Sequence, residues 1–193
     1  AVLTIGAEGA PVSTQSEAGA GIASVPTATP STYGRLATSF VENRGQWNGP
    51  FLYAGQTSGG KVFLVPKGIT YLLGASGNAM QVHDLKHNKS KSPMGLRYHA
   101  YRVSFVGAGT PGVKSSKLRE HYYNYFLGND PDRWKTGIRP ALNVDYSDLY
   151  PNIDLHVASE NSNLKYDFIV RPGGEPAQIR LKFHGAEEIK LRN

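Results

Sequence analysis

The chain has 193 residues, 39% of them hydrophobic, with 21 basic and 15 acidic side chains and no cysteine. That length and apolar content suit one domain with a real core, or one domain plus a tail. The lack of cysteine excludes disulfides, thiolate metal sites and cysteine nucleophiles, and no stretch reaches the roughly 20 apolar residues that a membrane-crossing helix needs.

Residues 1–35 read as a flexible arm or linker. Within the first 32, Ala, Gly, Pro, Ser and Thr supply 23 residues, and the only charges are Glu8 and Glu17. Such a stretch cannot bury enough apolar surface to offset its chain entropy. Two patches, Val2-Leu3-Thr4-Ile5 and Gly21-Ile22-Ala23-Ser24-Val25, could still add as strands to an open sheet edge. The start carries neither a basic segment nor a long apolar run. It fits a mature exported chain whose signal has been removed, or a cut boundary. The rest of the chain holds 21 bases against 13 acids. That balance attracts anionic partners, but the charges are scattered and accompany no nucleic-acid motif. A solvated basic surface is the simpler expectation, with no nucleic-acid partner.

The β-rich domain is expected over 36–193. From Phe40 onward apolar and polar residues alternate between closely spaced turn signals. Phe51–Ala54, Lys61–Val65 and Ile69–Leu73 form a predicted three-strand meander, with Pro66-Lys67-Gly68 as its second turn. The polar, Lys- and His-bearing segment 74–97 reads as a long exposed loop. Further on, Tyr101/Val103/Phe105, Leu142/Val144/Tyr146, Ile153/Leu155/Val157, Leu164/Tyr166/Phe168/Val170 and Ile179/Leu181/Phe183 each define one strand face. A one-residue slip would expose each set, so these registers are well specified. No helical period is sustained; one turn near Glu175–Gln178 is the best candidate. The expected fold is all-β, an antiparallel β-sandwich or strongly bent sheet, with a low-complexity N-terminal arm.

The densest motif runs from Tyr122 to Trp134. Aromatics on both faces of Tyr122–Leu127 suggest a strand covered on both sides, with a glycan-stacking platform as the sharper alternative. Asp130-Pro131-Asp132-Arg133 suits a type I turn, a simpler account than a Ca²⁺ site built on Asn129, Asp130 and Asp132. His83 and His87 lie four apart in a non-helical context, and His156 and His184 fall on polar strand positions. No nucleophile elbow or phosphate-binding glycine loop is present. Asp145, Asp148, Asp154 and Asp167 show no spacing that identifies a glycosidase pair. No catalytic residue, cofactor or metal ligand is therefore assigned.

Four stretches carry a likeness to a known family: Phe40–Trp47, Tyr123–Trp134, Leu149–Asp154 and Leu164–Gly173. Together they resemble the amino-terminal β-rich domain of large secreted bacterial surface proteins, especially of Bacteroidetes and Acidobacteria. Those proteins often carry β-propeller-type repeats and gliding-motility-type C-terminal sorting domains. The resemblance implies an extracellular or cell-surface location and supplies no catalytic residues. No repeats follow Asn193, so the chain is expected to be either a processed piece, truncated at the final strand Glu188–Arg192, or a free-standing version. The expected function is a non-catalytic structural or adhesion module that partners itself or other domains of a larger surface protein, with self-assembly by strand exchange through the arm. A glycan-binding module using Trp47, Tyr122 or Trp134 is the alternative. A carbohydrate-active enzyme comes third.

Overall fold

The computed structural model describes residues 2–6, 39–57, 60–74, 98–160 and 163–186. Their strands, in chain order, are β1 (Val2–Gly6), β2 (Phe40–Glu42), β3 (Tyr53–Thr57), β4 (Gly60–Val65), β5 (Gly68–Gly74), β6 (Tyr98–Phe105) and β7 (Gly112–Leu118). They continue as β8 (Tyr123–Tyr125), β9 (Lys135–Ile138), β10 (Ala141–Tyr150), β11 (Ile153–Glu160), β12 (Asn163–Val170) and β13 (Leu181–His184). Short 3-10 turns at Pro131–Arg133 and Pro176–Gln178 fall on two turn signals of the sequence. Among the described residues no helix is long and apolar enough to cross a membrane.

All pairings are antiparallel. The main sheet runs β1-β12-β11-β10-β2-β3-β4-β5-β6-β13, with β7 branching from β10; β8 and β9 form a separate hairpin. The sheet curls strongly into a half-barrel, which is the bent-sheet form of the expected all-β class. The curl follows from where apolar side chains fall. Val62 and Leu64 of β4, Ile69 and Tyr71 of β5, and Val103 and Phe105 of β6 share one buried cluster with Tyr146, Leu155, Val157, Tyr166 and Phe168. A flat sheet would leave that whole face wet, whereas curling buries it against itself. Phe105, near one end of the strand order, meets Phe168, near the other, edge to face at 6.2 Å. It meets Tyr146 in the same way at 6.3 Å. Two tyrosines of this core satisfy their hydroxyls at its margin: Tyr146 donates to the Val65 carbonyl (3.1 Å) and Tyr150 to that of Arg180 (3.3 Å), whereas the Tyr71 hydroxyl is buried without a hydrogen-bond partner.

A bulge interrupts β10. Its register passes from Tyr146↔Leu155 to Tyr150↔Ile153, and Asp148 within the bulge has a φ of +54°. The Asp148 N–H donates to Asp154 Oδ1 at 2.7 Å. Arg171 bridges Asp148 and Asp154, its Nε lying 3.3 Å from Asp154 Oδ2. Two of the four family-like stretches, Leu149–Asp154 and Leu164–Gly173, thus lock one another at the same corner.

Several expectations need correction. β7 was not legible, because its only half-buried apolar residue is Val113 and it is held by backbone pairing to β10. Asn143 faces away from the core as expected, yet it is only 5% exposed, and Ala141, two residues earlier on the same strand, is fully buried. Of the arm expected over 1–35, only Val2–Gly6 lies among the described residues, and it is a strand paired with β12. Most of the 74–97 loop with His83 and His87, the patch Gly21–Val25, and the final strand Glu188–Arg192 lie outside the described residues.

Candidate binding surface

The loop after β2 builds the support for the aromatic hairpin. The Asn43 side chain donates to the carbonyls of Trp47 and Phe51, both at 3.2 Å, and accepts from the N–H groups of Gly45 (3.2 Å) and Trp47 (3.3 Å). Gln46, only 2% exposed, donates to the Glu42 carbonyl (2.6 Å) and accepts from the Arg44 N–H (2.7 Å). The Asn43-Arg44-Gly45-Gln46-Trp47 stretch is therefore a self-bonded loop whose amides stand in for backbone partners. It holds Trp47 against Phe51 (6.0 Å between ring centroids) and edge-on to Tyr125 of β8 (5.0 Å). Phe51 in turn packs on Phe63 of β4 at 5.0 Å. This outer-face aromatic chain couples the β8–β9 hairpin to the main sheet. Burial beside Tyr123 pushes the Tyr125 phenol up to about 12.

The hairpin contradicts the expectation of a strand covered on both sides. Tyr122 is 62% exposed, Phe126 59%, Tyr123 42% and Trp134 40%. The physical reason is that the hairpin is a sheet of its own, packed through Tyr125 against Trp47 and with Ile138 fully buried. The other aromatics were left with nothing among the described residues to cover them. Two of the three aromatics proposed for glycan contact, Tyr122 and Trp134, are on this surface. The third, Trp47, is taken up in packing.

The platform is fixed rather than loose. Phe126 and Trp134 meet edge to face at 5.5 Å, and the Trp134 Nε1–H donates to the Gly128 carbonyl at 3.2 Å. Asp130 Oδ1 accepts from the Asp132 N–H at 3.1 Å, capping the 3-10 turn as turn chemistry requires. Arg133 ties the turn to Asn48 (2.7 Å) and Lys135 Nζ donates to the Asp132 carbonyl (2.6 Å). An exposed aromatic cluster held this rigidly can stack on flat or ring-shaped ligands at small entropic cost.

The carboxylates flagged in the sequence divide into two groups. Asp148 and Asp154 belong to the Arg171 corner. Asp145, on the outer face of β10, contacts His156 Nδ1 across the strand pair and accepts from the Ser116 hydroxyl at 2.7 Å. Asp145 stands between serine and histidine, so the hydroxyl is bonded to the carboxylate and not to the ring. By register Asp167 lies on the other side of His156. This row is one cross-strand polar ladder. Among the described residues no group of three or more His, Cys, Asp or Glu side chains has metal-holding geometry.

A second candidate surface is the β12 edge. β12 pairs along its full length with β11. Its other side is met by β1 from Val2↔Ile169 to Gly6↔Lys165. Sequence reasoning marked Val2–Ile5 as able to add to an edge, but only the fold identifies which edge receives it.

No curated protein and no solved structure matches this chain. A family model described as "Domain of unknown function (DUF7948)" matches residues 40–193, from β2 through the whole body, and the chain belongs to that family.

Proposed function

We propose that this chain is a non-catalytic structural or adhesive module, exported to the cell surface or beyond, that assembles through its N-terminal arm. The observation that carries this is β1. A short strand at the start of the chain occupies a sheet edge, and unpaired sheet edges are where chains join one another. Support for an exported setting comes from the likeness of four stretches to the first domain of secreted surface proteins bearing propeller-type repeats. The test is light scattering and negative-stain microscopy of the full chain beside a chain lacking residues 1–35. Concentration-dependent oligomers or filaments that need the arm support the reading; monomers in both at high concentration overturn it.

A second reading is favoured by the hairpin: glycan binding through Tyr122, Tyr123, Phe126 and Trp134, whose exposure ranges from 40 to 62%. Stacking of sugar rings on such side chains gives modest, additive affinity. Glycan-array binding lost in Tyr122→Ala and Trp134→Ala chains supports it, and binding that survives both changes counts against it.

A further inference from the structure

We propose that the β12 edge accepts β1 from a second copy of this chain, in the register that β1 takes within its own chain. This deepens the assembly reading above and rests on it, by naming donor, acceptor and register.

The first argument is chemical. β12 carries Leu164, Tyr166 and Phe168 on its core face, all nearly or fully buried, and Phe168 sits where the two ends of the curled sheet meet. Its outer backbone edge needs a partner across Lys165–Ile169, and β1 supplies it. Register places Leu3 opposite Phe168, Thr4 opposite Asp167 and Ile5 opposite Tyr166. The donor sequence alternates apolar Leu3 and Ile5 with polar Thr4, opposite an edge that alternates buried Phe168 and Tyr166 with Asp167. A donor of that pattern can take the edge from either molecule, since the backbone register is the same.

The second argument is about the connection. In the sheet order β1 is separated from β2 by β12, β11 and β10, a lateral span of roughly 20 Å at about 4.8 Å per strand. The 33 residues between Gly6 and Phe40 could extend to roughly 110 Å. A connection of this kind gives an effective concentration on the order of millimolar, so self-closure wins in dilute solution. Exchange becomes competitive when copies are crowded to comparable local concentration, as they are when arrayed on a surface. Exchange of an identical element is a low-cost route to assembly.

The chain has no cysteine, which makes the test direct. Full-length Thr4→Cys protein is mixed with full-length Asp167→Cys protein and oxidised over a range of concentrations. Opposed positions on paired strands have Cβ atoms about 4.5–5.5 Å apart, close enough for a disulfide with slight adjustment. Exchange predicts a mixed dimer at least several-fold in excess of either homodimer. It also predicts a yield that rises with concentration and is lost when Leu3→Asp and Ile5→Asp are added to the Thr4→Cys donor. Mixed and homodimers in random proportion, or no mixed dimer up to millimolar protein, overturn the proposal. Oligomers of the full chain without the mixed disulfide remove this inference and leave assembly through another surface standing. Monomers at every concentration remove both.

Discussion

At the scale of single residues, the chain spends polar side chains on keeping loops and buried backbone satisfied. Asn43 makes four hydrogen bonds within residues 43–51. Asn43→Ala should lower unfolding free energy by about 2–3 kcal/mol, because the stranded backbone groups stay half-buried without partners. A urea titration checks this, with little change expected in m. The tyrosines set a pH limit. Tyr101, stacked on Tyr71 at 4.5 Å, is pushed up to about 12 by burial beside Tyr166, as is Tyr125 by burial beside Tyr123. Burial raises Tyr71 and Tyr146 further still. A phenol held neutral in the fold, but free to ionise near pH 10 when unfolded, contributes stability that is intact below about pH 10. That stability is lost as pH rises through the folded value. Denaturation midpoints should therefore be insensitive to these tyrosines up to about pH 10 and fall steeply toward pH 12. Phenolate absorbance should appear in two waves, the second coinciding with unfolding.

At the scale of elements, the β8–β9 hairpin and the β10–β11 corner behave differently. The hairpin is held to the sheet by the contact of Trp47 with Tyr125 and by the bond from Arg133 to Asn48. Trp47→Ala should cost about 2–4 kcal/mol, with amide protection lost first across 123–138 while β10–β12 stay protected. Hydrogen exchange resolved by segment would show this, and uniform loss across both regions would contradict it. In the β10–β11 turn, Asn152 has a φ of +58°, and its carbonyl accepts the Arg171 N–H at 2.9 Å. Asn152→Val should destabilise by about 1–2 kcal/mol, since a β-branched side chain crowds the left-handed region; Asn152→Gly should be close to neutral. Gly68 carries a different constraint at the start of β5. A Cβ there would lie 2.4 Å from the Val103 carbonyl oxygen, so Gly68→Ala must prise β5 from β6.

At the scale of the whole molecule, the two ends of one sheet close on a shared core. Phe168 is fully buried against Phe105, so Phe168→Ala should cost about 3–5 kcal/mol. It should also weaken the seating of β1, because Leu3 stands opposite it. Thermal melts of Phe168→Ala in the full chain and in a chain lacking residues 1–35 should then be less than additive. Pairings such as β1 with β12 and β2 with β10 join residues more than a hundred positions apart. Folding in milliseconds to seconds is expected from such non-local topology, and stopped-flow refolding would measure it.

The sequence by itself determined the all-β class and the faces of β6, β11 and β12. There a two-residue apolar period leaves a single register that keeps water off the core. It also marked the turns at Asp130–Arg133 and Glu175–Gln178, whose prolines and aspartate preset local backbone geometry. Only the tertiary structure decided that β7, with scarcely an apolar residue, is a strand, because its pairing uses backbone groups that every sequence has. Only the tertiary structure, too, turned Tyr122, Tyr123, Phe126 and Trp134 outward while drawing Trp47 in. An aromatic residue gains the same transfer free energy wherever a neighbour excludes water, and which neighbour is present is fixed by how distant strands come together.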